Sequence, residues 1–310
     1  MKKIFATIAA IVLAAGAAFA QDMAELTEVY NSAAALLDEG NKAGALENFN
    51  KAVIMAEAIG DDAAEILAQC KTVIPKISLS MAKDLIKAGD FDAAIMNLEY
   101  VSNVADKYEA FDVMGEAADL IPQVIKQKAA TQLKEKDYAG AVESYNKILA
   151  DDPTDGVSAL RLGSAYNALG QADEAIKAFE VAAANGQEAQ ANKQIGNIFL
   201  KMANANLKEK QYADAVANAV KSNEYAANPQ ALQIAGSASQ KAGKNADAIK
   251  YYSAYLDAAP DAKNAAQIAY TVGALYQNAK NNAKAKEYYT KALSDPKLGP
   301  EAKKLIDSLK

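Results

Sequence analysis

Small apolar residues recur along this chain in a fixed relation to larger ones. An alanine is followed four residues on by an aromatic or leucine, and three residues later by another small or apolar residue. The sets are Ala45, Phe49, Ala52; Ala94, Leu98, Val101; Ala141, Tyr145, Ile148; Ala175, Phe179, Ala182; Ala248, Tyr252, Tyr255; and Ala285, Tyr289, Ala292. A weaker set, Ala215, Ala219 and Ser222, falls between the fourth and the last two. Steps of four and three place all members of a set on one face of a helix. Five residues before each alanine stands a turn residue: Gly40, Gly89, Lys136, Gly170, Lys210, Gly243 or Lys280. Glycine there permits the positive φ that ends a preceding helix, so each unit predicts helix–turn–helix. The repetition is direct in places: residues 133–142 and 207–216 agree at eight of ten positions.

The period is uneven. Steps from Ala141 to Ala175 and from Ala215 to Ala248 are near 34 residues, but those from Ala45 to Ala94 and from Ala94 to Ala141 are much longer. The added sequence, Ala63 to Ile74 and Glu109 to Ile121, is itself helical in pattern and predicts extended first helices in the N-terminal half. Each addition ends in Ile-Pro, at Pro75 and Pro122, while Ile195-Gly196 holds the same place in the fifth unit. A proline lacks the amide donor and clashes with the preceding turn, so each is expected to break or kink its helix.

These residues resemble the tetratricopeptide repeat (TPR). The fourth unit carries the resemblance best, through Leu162-Gly163, Tyr166, Gly170, Ala175, Phe179 and Ala182. The last follows with Val272-Gly273, Tyr276, Ala285, Tyr289, Ala292 and Pro296, and Pro153 and Pro260 close the third and sixth units. The likeness covers about residues 26–297 and lacks the family's early tryptophan throughout. It implies an all-α fold, an α-solenoid of about seven TPR-like helix–turn–helix repeats. Residues 298–310, with Pro300 in the first turn, read as a C-terminal capping helix over the end of the stack.

Ahead of the repeats the pattern changes. Lys2 and Lys3, an uncharged run from Ile4 to Ala15, and Ala18-Phe19-Ala20 have the form of a signal peptide, with residues 1–20 removed and the repeat domain beginning at residue 21. The expected location is the bacterial periplasm, or secretion. The sole cysteine, Cys70, is not at the cleavage site, so the chain is not read as a lipoprotein. Cys70 shares an apolar stripe with Ile66, Leu67, Val73, Ile74 and Ile77 and reads as a core residue. Losing Lys2 and Lys3 takes the formal charge from −6 to −8, which argues against nucleic acid as a partner.

Composition also narrows the chemistry. There is no histidine, hence no histidine-based triad and none of the commonest metal ligand. Glycine-rich phosphate loops and paired cysteines are missing too. The acidic segment Asp151 to Gly156 contains Pro153, which breaks a calcium-loop pattern, and it lies at a junction between repeats, so it reads as a turn. The sequence therefore predicts no enzyme, no cofactor and no metal site. Tyr252 and Tyr289 read as core; Tyr251, Tyr255 and Tyr288 as packing between pairs, with a sugar-stacking platform as the alternative.

The resemblance also implies that first helices line a concave groove. Carrying the family's groove positions onto this chain collects Lys76, Lys83, Lys87, Lys126, Lys134, Arg161, Lys201, Lys208 and Lys241, with Asp38 as the acid. Neutral company includes Gln123, Ser164, Asn167, Asn197, Asn204, Gln233, Ser237, Gln240, Gln267 and Gln277. A basic groove in an acidic protein would gather an oppositely charged partner. The family's carboxylate clamp is not reproduced: Lys126, Arg161 and Lys201 are present, but Ala130 stands where its first asparagine belongs. The expected function is a non-catalytic scaffold for a protein or peptide, one with acidic groups. The alternative is a binder of envelope polymers (peptidoglycan or acidic polysaccharide) or an accessory subunit of an envelope complex.

Overall fold

A computed structural model describes residues 17–309 of the chain. Of the leader pattern, the stretch from Lys2 to Ala15 lies outside them, and Ala18, Phe19 and Ala20 fall at the start of the first helix. The described residues form α1 (Ala17–Asp38), α2 (Lys42–Ile59), α3 (Ala64–Ala88), α4 (Phe91–Lys107), α5 (Phe111–Glu135), α6 (Tyr138–Asp151), α7 (Gly156–Ala168) and α8 (Ala172–Ala182). They continue through α9 (Glu188–Lys208), α10 (Tyr212–Tyr225), α11 (Pro229–Lys241), α12 (Asn245–Ala258), α13 (Ala265–Asn278), α14 (Asn282–Lys291) and α15 (Gly299–Ser308). These are seven successive helix pairs and one further helix. The fold is all-α, an α-solenoid of TPR-like repeats. Two compact units divide it, one ending at Thr131 and the other beginning at Gln132.

Every turn within a pair is built the same way. Gly40, Gly89, Lys136, Gly170, Lys210, Gly243 and Lys280 all take φ between 55° and 84°. In each, the turn residue's N–H bonds the carbonyl three back, and the next N–H bonds the carbonyl five back, as in Gly170 to Asn167 and Gln171 to Tyr166. This double closure is the Schellman motif, and it satisfies carbonyls that the helix end leaves orphaned. The residue after the turn begins the second helix. Asn41, Asp90, Asp137 and Asn281 cap it by accepting from the backbone N–H three residues on.

The recurring alanine explains why the pairs close tightly. All seven, from Ala45 to Ala285, are fully buried. Twelve residues before each, on the first helix, stands Ala33, Ala82, Ala129, Gly163, Ala203, Gly236 or Gly273, equally buried. Where that residue is glycine, the aromatic four after the marker covers it. A Cβ on Gly163 would lie 2.6 Å from Phe179 Cδ1, and one on Gly236 2.5 Å from Tyr252 Cδ1. Two small residues and one ring thus make the crossing point, at interior density.

In the first unit the helices are longer. α3 and α5 each have 25 residues, against 13 in α7 and α11. The added residues 64–74 extend about 16 Å at 1.5 Å per residue. They bury Cys70 and Ile74 with Ala56 and Ala63, near the end of α2. In the same way Val113 and Ala117 of α5 pack with Val101 and Ala105 of α4. Neither proline ends its helix, since Pro75 and Pro122 both lie inside unbroken ones. Their repeat position accounts for this. Nineteen residues before the marker stand Pro75, Pro122, Gly156, Gly196 and Pro229. In the short repeats that position opens the first helix, as Gly156 opens α7 and Pro229 opens α11. Proline is at home there, because the first-turn N–H has no intrahelical partner. In the long repeats the helix continues backwards through it.

The second unit holds a run of smaller clusters. Phe179, Ile195 and Phe199 anchor one, and Tyr252, Tyr255, Val272 and Tyr288 another. Between α8 and α9, Asn185 and Gly186 leave helical geometry. The Asn185 carbonyl comes so close to Gly156 that a Cβ there would be 2.1 Å away. At the C-terminal end α15 lays Ala302, Leu305 and Ile306, with Leu309 just after it, over Ala285, Tyr289 and Ala292, as a cap does.

Candidate functional site

First helices of successive pairs meet in the second unit: α7 touches α9, and α9 touches α11. Their charges are one-sided. α7, α11 and α13 contain no aspartate or glutamate, and α9 contains Glu188 alone. Arg161, Lys193, Lys201, Lys208 and Lys241 supply cations on the same helices. Carboxylates sit instead on second helices, such as Asp173, Glu174 and Glu180 on α8, and Asp247 and Asp257 on α12. Arg161, Lys201, Lys208 and Lys241 are exposed and form no ion pair among the described residues.

The first unit differs. Lys83 of α3 bonds Glu116 of α5 at 2.6 Å, an acid on a first helix that the sequence-derived groove did not contain. Lys42 pairs with Asp84, and Lys128 with Asp92. The hydrogen bond from Lys42, with Lys42 and Lys87 charge nearby, lowers the Asp84 pKa. Exposed pairs of this kind add little stability, but they neutralise charge. Of the predicted groove cations in this unit, Lys87 and Lys126 are exposed, and Lys83 is half-buried. In the other unit Lys134 is exposed near the end of α5, and Asn167 is exposed on α7. Asn204 donates to Leu200 O of its own helix at 3.0 Å.

A polar arrangement that the sequence reading missed lies at the crossing points. The Tyr252 hydroxyl donates to Gln240 Oε1 at 3.1 Å, and the Tyr289 hydroxyl to Gln277 Oε1 at 2.7 Å. In both pairs glutamine precedes tyrosine by twelve residues, one on each helix. Burial raises the pKa of both tyrosines. Pair four has Phe179, without a hydroxyl, and Asn167 twelve residues before it. In pair three Leu133 holds the glutamine's place. Burial pushes the Tyr145 hydroxyl's pKa up, and the neighbouring Arg161 guanidinium offsets part of that rise. The twinned Gln and Tyr were the available signal.

The remaining candidates are structural. Cys70 is fully buried, and burial pushes its pKa up to about 12, which suppresses the thiolate. Asp152 accepts from Thr154 N, and Asp155 caps α7 by accepting from Ser158 N, both at 3.0 Å, so the segment is a turn. No group of three His, Cys, Asp or Glu able to hold a metal occurs among the described residues. Tyr288 is 8% exposed, bonds Ser253 at 2.7 Å and has Lys291 over its ring. Tyr251 is half-buried against Ile234 and Ala235. These rings offer no open stacking platform.

Residues 132–195 match one tetratricopeptide-repeat family model, and residues 266–294 match another. At superfamily level this is a tetratricopeptide-repeat protein. Both matches fall within the second unit, where α7, α11 and α13 are short first helices. No curated protein matches the chain in sequence. Among solved structures, MamA residues 41–end from Desulfovibrio magneticus RS-1 is 17% identical, over 60% of this chain and 97% of its own, with a TM-score of 0.33. YrrB, described as a TPR protein with an unusual peptide-binding site, is 22% identical over 57% and 88%, with a TM-score of 0.32. A further MamA structure is 19% identical over 58% and 94%, with a TM-score of 0.35. TM-scores this low carry no argument about this chain. As a tetratricopeptide-repeat protein it is a non-catalytic scaffold of the general protein- or peptide-binding type. Among the described residues, no helix is long and apolar enough to cross a membrane.

Proposed function

We propose that the protein is an exported scaffold that holds an acidic protein or peptide segment on the first-helix face of its second unit. The supporting observation is charge segregation: cations on α7, α9 and α11, and one carboxylate on all four first helices from α7 to α13. Export rests on the leader pattern of residues 1–20. Contacts on such a face are individually modest, and the cations set association rate and charge preference. Envelope polymers fit less well. Sugar binding favours open aromatic faces, and Tyr251 and Tyr288 are packed within the stack.

The test is in two parts. Mass spectrometry of the protein from its host should find a mature chain beginning at Gln21; an intact Met1 terminus rejects export. Crosslinking in intact cells, followed by identification of the partner, supplies the ligand for binding assays. Arg161→Glu, Lys201→Glu and Lys208→Glu together should then weaken binding at least tenfold and flatten its salt dependence. Equal affinity and an equal salt slope would remove the second unit's face from consideration.

A further inference from the structure

Gln240 and Gln277 have a feature that their place on a polar surface does not require. Each carboxamide oxygen accepts from a buried tyrosine hydroxyl, at 3.1 and 2.7 Å. Those tyrosines are 4% and 1% exposed, with their rings packed against Gly236 and Gly273. Turning the amide over would set its NH2 against the hydroxyl: the Tyr289 O–H would lose its acceptor, and the Tyr252 O–H would keep only the Ser237 hydroxyl beside it, a costly state. The amide is therefore locked with its oxygen inward, and what it presents to solvent is an N–H donor pair. Asn167, at the same repeat position opposite Phe179, has no such lock.

We infer that Gln240 and Gln277 are fixed hydrogen-bond donors for the backbone carbonyls of an extended peptide, whose acidic side chains lie toward Arg161, Lys201 and Lys208. This rests on the binding face proposed above. Cations on α7 and α9 followed by locked amides on α11 and α13 make a strip that donates along its length. Carboxylates suit the charged end, and uncharged peptide carbonyls suit the amide end, where α13 carries no cation. A polysaccharide, whose hydroxyls donate as well as accept, would leave donors facing donors.

The variant Gln240→Glu with Gln277→Glu separates this role from support of the core. A carboxylate keeps an acceptor for each tyrosine, so the melting temperature should hold, while the donors vanish. Gln233→Glu with Gln267→Glu makes the same charge change on α11 and α13 without touching a tyrosine partner. The probe is a fluorescein-labelled peptide with a run of aspartates at one end and alternating asparagine and glycine at the other. Expected is a loss of about tenfold or more in affinity for the first variant, against less than about threefold for the second. Equal losses in the two variants, or none in either, overturn the donor role. If the probe still depends on Arg161, Lys201 and Lys208, the proposed function survives that result. A parent protein that ignores the probe sinks both ideas.

Discussion

Three of the seven turn residues are lysines held at positive φ: Lys136 at 67°, Lys210 at 62° and Lys280 at 55°. A side chain in that region is strained by roughly 1 kcal/mol, which glycine avoids. Lys136→Gly, Lys210→Gly and Lys280→Gly should therefore each raise stability by about 0.5–1 kcal/mol, read as a higher melting temperature. Gly170→Ala should lower it by a similar amount. The tyrosine–glutamine contact predicts an asymmetry. Tyr289→Phe leaves the Gln277 oxygen to water and should cost at most about 1 kcal/mol, whereas Gln277→Leu strands the buried Tyr289 hydroxyl and should cost about 1–3 kcal/mol. Denaturant titrations of the two single variants decide whether the larger cost falls on the glutamine side. Cys70 gives a chemical check. Its folded pKa of about 12 lies above the ordinary 9.0, so the folded state holds the proton more tightly. That contribution is complete below pH 9 and is lost as pH climbs from 9 towards 12. At pH 8 iodoacetamide should label Cys70 only as fast as the surrounding helices open; rapid labelling of folded protein would contradict its burial.

At the scale of elements, the chain announces its helix pairs because the constraint is local. A buried alanine, a ring four residues on and a positive-φ turn five residues back are forced by two helices crossing closely. Ala45, Ala94 and the rest could be read without knowing what they touch. What could not be read is whether a proline ends a helix, since its backbone context comes from the preceding sequence. Pro75, Pro122 and Pro229 share one repeat position but differ in how far the helix extends before them. A single substitution should separate them. Pro122→Ala restores a missing N–H inside α5 at an exposed site and should stabilise by about 1–3 kcal/mol. Pro229→Ala, at a first-turn position, should change stability by no more than about 0.5 kcal/mol or lower it slightly. Amide exchange should show slower opening around Ala118 in the Pro122 variant, since that carbonyl regains its donor.

Over the whole molecule the sequence listed the cations expected in the groove but not which of them stand beside an acid. Lys83 looked equivalent to Lys201 because both match a family position, yet Glu116 from the next first helix sits on Lys83 at 2.6 Å. That acid belongs to the added segment of α5, which has no counterpart in a regular repeat, so register alone could not assign it a neighbour. The locked carboxamides escaped for a related reason: a glutamine on a polar face looks solvated until the ring on the partner helix is placed. The end of the stack follows the opposite rule, because a terminal pair must be covered by something. α15 supplies that cover with a narrow apolar stripe, Ala302, Leu305 and Ile306, joined by Leu309 just beyond its end and packed on the last pair. A chain ending at Leu298 should leave Ala285, Tyr289 and Ala292 facing water on that side, along with Tyr270 and Ala274. Loss of a few buried apolar side chains costs about 1.5–3 kcal/mol each when burial was complete. In a stack where each pair leans on its neighbour, that loss acts first on α13 and α14. The truncated chain should therefore show fast amide exchange confined to the last pair and a tendency to self-associate, with the pairs from α7 to α10 still protected. A uniform loss of protection through the second unit would mean that α15 holds the unit together and does more than cap it.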